Sequence, residues 1–193
     1  MTSSGEAYLG LVKGIAQTFE THRILYAFSG ALANALWGIP RATKDLDLLV
    51  HVPRIALPTT IELLFGLGCQ GSLEEVLKTS LDEHVIRLDY QGMDVEVFLP
   101  FLPYHHEVLR RRVQHPIEDV PAYFVSAEDL VILKFLFHRA KDVADIQAIL
   151  ATQADRLDRA YLTSTLRSVL PAEDPRHREL AQWLPPPRTQ STS

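Results

Sequence analysis

The sequence has a single cysteine, Cys69, among its 193 residues. One cysteine forms no internal disulfide and has no second thiol with which to build a cysteine-based zinc site, so we expect a reducing, cytoplasmic setting. Long apolar runs are also scarce. The longest stretch without a charged residue, 24–40, contains glycine, asparagine and proline and is shorter than the ~20 apolar residues of a membrane helix, so no membrane partner is expected. The N-terminal residues lack the basic and apolar pattern of a secretory signal.

Basic residues are outnumbered as well, with 19 Lys and Arg against 24 Asp and Glu and a net charge of −5. The acidic excess lies within residues 1–104. A passive nucleic-acid binder neutralises phosphates with Lys and Arg, so this balance argues against that class. It leaves metal-assisted phosphate chemistry open. A content of 47% hydrophobic and 22% charged residues is typical of a globular chain with a buried core.

The order of the predicted elements indicates an α/β (α+β) fold. We expect an α/β core over residues 1–104, a helical C-terminal region over 105–183 packed on that core, and a flexible tail at 184–193. Gln91-Gly92 predicts a hairpin between two of the strands. The predicted strands are 24–28, 45–52, 84–90 and 93–99, with a short extended segment at 122–125. The predicted helices are 6–21, 31–37, 55–66, 72–80, 104–113 and a longer one that begins at Ser126.

Two pairs of acidic residues carry the chemistry of the sequence. Asp45 and Asp47 are two apart on a predicted strand and therefore point to the same face. Paired carboxylates repel each other unless a cation lies between them, and hard oxygen ligands suit Mg²⁺. Asp94 and Glu96 repeat this spacing on a later strand, which would supply further ligands if the two strands are neighbours. The alternative is that Asp-Leu-Asp is only the polar side of a half-exposed strand.

Several features surround these acids in a fixed order. They are the turn Ser29-Gly30, Gly38 at a helix end, Arg41-x-Thr43, Asp45-x-Asp47, Glu96 on a later strand, and Lys134 followed by Arg139-x-Lys141-Asp142-x-x-Asp145. Over roughly residues 24–150 this order resembles the nucleotidyltransferase superfamily, in its small branch of minimal and abortive-infection toxin-type nucleotidyltransferases. The resemblance implies a mixed sheet flanked by helices. The chain departs from the family pattern in the Ser-Gly order of the turn and in Glu96, where Asp is commoner.

The resemblance also implies a set of site residues. Asp45, Asp47 and Glu96 would be catalytic and would hold Mg²⁺, or alternatively Mn²⁺, with Asp94 as the rival third acid. The nucleotide-binding residues would be Ser29, Gly30, Arg41, Thr43, Lys44, Lys134, Lys141 and Asp142. The start of the helix after Ser29-Gly30 would attract the phosphates of an NTP.

Simpler roles remain for some of these residues. Lys134 and Lys141 share a helix face only if their helix is unbroken. Lys141 alternatively forms a surface pair with Asp145, and Lys134 extends its charge out of an apolar environment or has a buried partner. Arg41 and Lys44 alternatively offset the acidic pair.

The function that the resemblance implies is Mg²⁺-dependent transfer of NMP from an NTP to a hydroxyl group. RNA, and tRNA in particular, is the favoured acceptor, and the protein would then be a toxin with a cognate antitoxin. Small molecules such as antibiotics, or protein hydroxyls, are the alternative acceptors. A non-catalytic nucleotide-binding protein with the same fold is the alternative from another class. The Ser-Gly turn and Glu96 favour that alternative.

Overall fold

The structure is a computed structural model that describes residues 4–184. Its helices are α1 (Ser4–Thr21), α2 (Gly30–Trp37), α3 (Leu57–Gly66), α4 (Leu73–Glu83), α5 (Pro103–Arg110), α6 (Ala127–Phe137), α7 (Ala140–Thr152), α8 (Arg159–Val169) and α9 (Arg176–Trp183). Its strands are β1 (Leu25–Phe28), β2 (Asp45–His51), β3 (Val85–Tyr90), β4 (Met93–Phe98), β5 (Val113–Ile117) and β6 (Val120–Phe124). Up to β4, each predicted element is present within a few residues of its predicted bounds. Except for Leu184, the predicted tail 184–193 lies outside the described residues.

The strands form one mixed sheet in the order β3-β4-β2-β1-β6-β5. β2 pairs in parallel with β4 and antiparallel with β1. The predicted hairpin at Gln91-Gly92 is confirmed by the antiparallel pairing of β3 and β4, and Gly92 has a φ of +81°. The strand that carries Asp45 and Asp47 is therefore held on both sides. The predicted mixed sheet with flanking helices is confirmed.

The region predicted to be helical from residue 105 differs from that prediction at its start. α5 ends at Arg110, and the chain then forms the hairpin of β5 and β6. β6 continues the sheet by pairing in parallel with β1. β5 is an exposed edge strand whose Gln-His-Pro sequence shows no apolar alternation, which is why its sequence did not indicate a strand.

The chain divides into two compact units, and the division does not fall at the predicted position after residue 104. Within the described residues, the first unit comprises the chain up to Leu32 together with Ala42–Val125, and the second comprises Ala33–Arg41 together with the chain from Ser126 onward. The first unit thus contains the whole sheet. Helix α2 begins in the first unit and ends in the second.

The core of the first unit includes both faces of the sheet: Ala27 and Leu49 are buried on the face that carries Asp45 and Asp47, and a second set of residues is buried on the other face. Leu46 and Leu48 of β2 and Val95 of β4 are fully buried there. The ring of Phe19 on α1 packs edge-on against Tyr26 of β1, with 5.5 Å between ring centroids. Burial of these apolar side chains, each contributing roughly 1.5–3 kcal/mol, fixes which side chains at the beginning of β2 are internal.

The second unit is helical. The Ser126 hydroxyl oxygen accepts a hydrogen bond from the backbone N–H of Asp129 at 3.1 Å, so the predicted helix start at Ser126 is confirmed. The predicted longer helix is interrupted, because α6 ends at Phe137 and His138 has a φ of +51°. α7 then begins at Ala140. Among the described residues, no helix combines the length and the apolar character needed to cross a membrane.

Candidate active site

The two aspartates of β2 lie on the face of the sheet opposite Leu46 and Leu48. Burial alternates over the first four residues of the strand, with Leu46 and Leu48 buried and Asp45 and Asp47 half-exposed. Because side chains alternate between the two faces of a strand, both carboxylates project from the same face. β2 therefore has Asp45 and Asp47 on one face, as their spacing predicted.

β4 places the second acidic pair directly beside the first. In the parallel register, Asp45 is opposite Asp94 and Asp47 is opposite Glu96. Partners in adjacent strands share a face, and neighbouring strands lie about 4.8 Å apart. The face therefore carries two short rows of carboxylates. This proximity results from a pairing between β2 and β4 that strand assignment alone does not fix.

β3 adds a basic residue to the second row. Arg87 is opposite Glu96, and its Nε donates to Oε1 of Glu96 at 3.2 Å. Arg87 also pairs with Glu83 of α4, and about half of its side chain is exposed. Glu96 is thus engaged by an arginine, whereas Asp94 lies at the exposed end of β4. The two candidates for the third acid have different surroundings.

The predicted gathering of Asp45, Asp47 and a third acid around one cation is not preformed. Within residues 4–184, no group of three or more His, Cys, Asp or Glu side chains is placed to hold a metal ion. Engagement of Glu96 by Arg87 is one physical reason. The donor set nevertheless fits Mg²⁺ of the kind that binds through one or two carboxylates and completes its shell with water and substrate phosphates. Asp45 and Asp47 are those two carboxylates.

The start of α2 lies against Asp47. Gly30, the first residue of the helix, has a φ of +54°, and a methyl group at this position would lie 1.7 Å from Oδ2 of Asp47. Only glycine accommodates both the backbone conformation and this approach. The carboxylate and the positive end of the helix dipole are therefore adjacent.

Ser29 is placed differently from its prediction. Its backbone N–H donates to the carbonyl oxygen of Asp47 at 2.9 Å and is used within the fold. The expectation that the N–H groups of both Ser29 and Gly30 face a phosphate is therefore not met at Ser29. Any phosphate contact by Ser29 has to come from its hydroxyl group.

Thr43 and Lys44 organise the beginning of β2. The Thr43 hydroxyl oxygen accepts from the backbone N–H of Asp45 at 3.1 Å. The carbonyl of Lys44 accepts from the N–H of Asp94 at 3.0 Å, which extends the β2–β4 pairing by one residue. These contacts fix the backbone on both sides of the acidic row, and the Lys44 side chain is exposed.

Tyr8 of α1 has a hydroxyl group whose burial the sequence did not indicate. Its hydroxyl oxygen is buried and makes no hydrogen bond to any part of the chain that the structure describes. Burial, followed by the negative charges of Asp47 and Asp45, raises the pKa of Tyr8 to about 12. Its periodicity predicted packing alone, because a tyrosine on the apolar face of a helix follows the same pattern as a core residue.

In the second unit, Lys134 and Lys141 are on different helices. Lys134 is 5% exposed, and its Nζ lies 2.6 Å from Oδ2 of Asp145 and 3.9 Å from Oδ1 of Asp142. Lys134 therefore has the buried partner that was one of its two alternatives, and it is not presented to solvent. Lys134 and Lys141 do not share a helix face, because α6 ends at Phe137. Lys141 is exposed near the start of α7.

The exposed Arg41 and the buried Asp142 also belong to this charge network. Arg41 Nη2 lies 3.4 Å from Oδ2 of Asp145. The Asp142 carboxylate accepts from the backbone N–H and the Nε of Arg139, which caps the start of α7. Burial alone would raise the pKa of Asp142, but the bonds from Arg139 and the charges of Arg139 and Lys134 lower it. The ion pairs between Lys134 of α6 and the carboxylates of α7 thus hold these two helices together.

Comparison with known proteins supports the fold. An antigenic nucleotidyltransferase-like protein from Paracoccidioides brasiliensis has a similar crystal structure, with a TM-score of 0.56 and 22% identity over 94% of this chain and 93% of that chain. The solution structure of the antibiotic-resistance factor ANT(2'')-Ia is similar with a TM-score of 0.57 and 13% identity, over 91% of this chain and 94% of that chain. No protein-family model and no curated protein matches the sequence.

These likenesses, together with the mixed sheet and the Gly30–Asp47 contact, define the class of structure. The chain has the fold of the nucleotidyltransferase superfamily. Its assignment to the abortive-infection toxin-type branch stays a prediction from the sequence.

Proposed function

We propose that the protein is a metal-dependent nucleotidyltransferase that transfers NMP from an NTP to a hydroxyl group. The observation that carries the proposal is the placement of Asp45 and Asp47 on one face of β2, with Asp47 against the first residue of α2. Two carboxylates and the start of a helix at one place supply what an NTP with its metal requires. The carboxylates bind the cation, and the helix field attracts phosphate.

Asp45 and Asp47 would hold Mg²⁺ or Mn²⁺. Such an ion, when bound, neutralises the triphosphate and stabilises charge during displacement at the α-phosphorus, with pyrophosphate as the leaving group. Glu96 or Asp94 would take the proton from the acceptor hydroxyl. Glu96 is beside Asp47 in the sheet but is paired with Arg87, so Arg87 would have to release it. Asp94 is exposed and beside Asp45.

The nucleotide-binding residues fall into two groups by their contacts. The residues of the first group are proposed to contact phosphate. They are Gly30, Ser29 through its hydroxyl, and the exposed Lys44 and Lys141 through their side chains. The other group acts by positioning, because its members already have partners within the chain. It consists of Thr43, which fixes the backbone at Asp45, and of Arg41, Lys134 and Asp142, which form the charge network of the second unit.

For the acceptor, we propose a hydroxyl of RNA, with tRNA first, and a role as a toxin controlled by an antitoxin. Transfer to a small molecule or to a protein hydroxyl is the alternative. A non-catalytic nucleotide-binding protein is the second candidate function, and a specific observation favours it. The pairing of Glu96 with Arg87 and the absence of a three-acid group in residues 4–184 would suit a protein that binds without catalysing.

Labelled transfer tests the proposal. The pure protein is incubated with Mg²⁺ and each α-labelled NTP in three reactions, and the products are separated. One reaction contains total cellular RNA, one contains a mixture of hydroxyl-bearing antibiotics, and one contains no acceptor other than the protein itself. We expect label in the tRNA band, and D45N and D47N should abolish it. D82N, which removes an exposed carboxylate from α4, is the matched control and should retain activity. NTP binding without transfer to any of the three acceptor classes would favour the non-catalytic alternative.

A further inference from the structure

Arg87 of β3 makes two ion pairs through different nitrogen atoms. Its Nε donates to Oε1 of Glu96 on β4 at 3.2 Å, and its Nη1 donates to Oε2 of Glu83 at the end of α4. The bond to Glu96 is the longer of the two. Because the two bonds use separate N–H groups, Arg87 can lose one of them and keep the other.

Glu96 lies between Arg87 and Asp47 in the sheet. It is opposite Arg87 on β3 in one direction and opposite Asp47 on β2 in the other. Carboxylates on neighbouring strands are close enough to repel each other, and a cation beside one of them offsets that repulsion. Within residues 4–184, Arg87 supplies the positive charge that pairs with Glu96.

A divalent cation at Asp45 and Asp47 would bring positive charge to Glu96 from the side of β2. A metal ion and a guanidinium group beside the same carboxylate repel each other, so the two compete for Glu96. The ion pair with Arg87 is weak enough to be displaced, because about half of the Arg87 side chain and about a third of the Glu96 side chain are exposed to solvent.

We propose that Arg87 is a positioning residue that competes with the divalent cation for Glu96 and, once displaced, stays bound to Glu83. Glu96 then joins Asp45 and Asp47 as the third acid only when the cation binds. This inference rests on the proposed function and adds a regulation of its metal site. By linkage, the factor by which Arg87 weakens cation binding equals the factor by which the cation weakens the Arg87–Glu96 pair.

The test measures the affinity of the full chain for Mn²⁺ alone, by electron paramagnetic resonance of the free ion. R87M removes the arginine, E96Q removes the charge of the glutamate, and R87M/E96Q combines the two changes. R110M is the matched control, because Arg110 forms another exposed pair, with Glu107 of α5. Melting temperatures show whether each variant is folded.

We expect R87M to bind Mn²⁺ about 2- to 5-fold more tightly than wild type, which is the effect of breaking an exposed ion pair. E96Q should bind Mn²⁺ more weakly than wild type, and R87M/E96Q should have the same affinity as E96Q. R110M should have the affinity of wild type, although it loses the same charge as R87M.

Unchanged or weaker Mn²⁺ binding by R87M would overturn the role of Arg87. An equal gain in the E96Q background would overturn it too, since that gain would come from net charge and not from Glu96. Both results leave the proposed function standing. If D45N/D47N binds Mn²⁺ as tightly as wild type does, the proposed metal site fails and this inference fails with it.

Discussion

Gly30 has a φ of +54° and lies against the carboxylate of Asp47. The positive φ costs a side-chain-bearing residue about 1–2 kcal/mol. The approach of Oδ2 leaves no room for a Cβ atom. The two requirements are independent, so relief of one does not relieve the other.

We expect G30A to lower the free energy of unfolding by about 1–3 kcal/mol, because alanine is strained at this φ and must displace Asp47. NTP binding should be lost with it. Urea unfolding followed by circular dichroism measures the first effect and calorimetry the second.

G10A is the matched control for this substitution. Gly10 is an exposed residue of α1, and no atom lies within 4 Å of the position that a Cβ would take. Alanine there should raise the free energy of unfolding by up to about 1 kcal/mol through its higher helix propensity. Equal stability of G30A and wild type would contradict the strain at Gly30.

Single residues differ in how well the sequence predicts them. Asp45 and Asp47 could be placed on one face from their spacing alone, since the period of a strand is fixed. The raised pKa of Tyr8 could not be predicted, because Asp45 and Asp47, whose charges contribute to it, are 37 and 39 positions away in the sequence. The engagement of the Ser29 N–H by Asp47 is equally non-local.

At the scale of elements, α6 and α7 are joined by the buried pair of Lys134 and Asp145. The pair is 2.6 Å apart, and Arg41 approaches the same carboxylate. Removing one member of a buried pair leaves the other charged and without its main partner. The pair therefore contributes mainly to holding the two helices in place.

We expect K134M to lower the free energy of unfolding by about 3–5 kcal/mol, because Asp145 is then left buried with only the longer contact to Arg41. K141M, at an exposed position of α7, should change it by less than about 0.5 kcal/mol. Urea denaturation of both variants provides the comparison. If K134M is as stable as wild type but binds NTP more weakly, that result would instead favour a direct contact between Lys134 and a phosphate group.

Elements with a strong local pattern were predictable and those without one were not. The β3–β4 hairpin follows from Gln91-Gly92 between two alternating segments. The end of α6 at Phe137 does not, since His138 adopts its positive φ without a glycine or proline to indicate it. β5 has few apolar residues and depends on β6 for its pairing.

For the molecule as a whole, the proposed site predicts that metal and nucleotide stabilise the fold together. We expect the melting temperature to rise by about 5–10 °C with Mg²⁺ and NTP at a hundredfold excess over the dissociation constant, since such binding contributes about 2.7 kcal/mol. EDTA should reverse the rise, and the double variant D45A/D47A should not show it. Differential scanning fluorimetry makes the measurement.

D82N again provides the control, because it removes one exposed negative charge without touching β2. Its melting temperature should respond to Mg²⁺ and NTP as that of wild type does. A rise of the same size in D45A/D47A would show that the ligand binds elsewhere. That result would remove the main support for the nucleotide site.

The sheet order is the part of the whole fold that the sequence left open. The sequence indicated two strands with paired acidic residues. The two pairs lie close together only if these strands are neighbours in the sheet, which the sequence did not determine. The structure pairs β2 with β4, which are separated by two helices and β3 along the chain. Such an arrangement depends on long-range packing, on which local patterns carry no information.

A one-residue shift in the register between β2 and β4 is energetically unfavourable. A slip of β4 by one residue would rotate Asp94 and Glu96 into the hydrophobic interior beside Leu46 and expose Val95 and Val97 to water. The energetic penalty of such a misalignment is that of burying two charges. The register that buries the apolar residues of β4 therefore also aligns its acidic residues with those of β2. No additional contact is needed for that alignment.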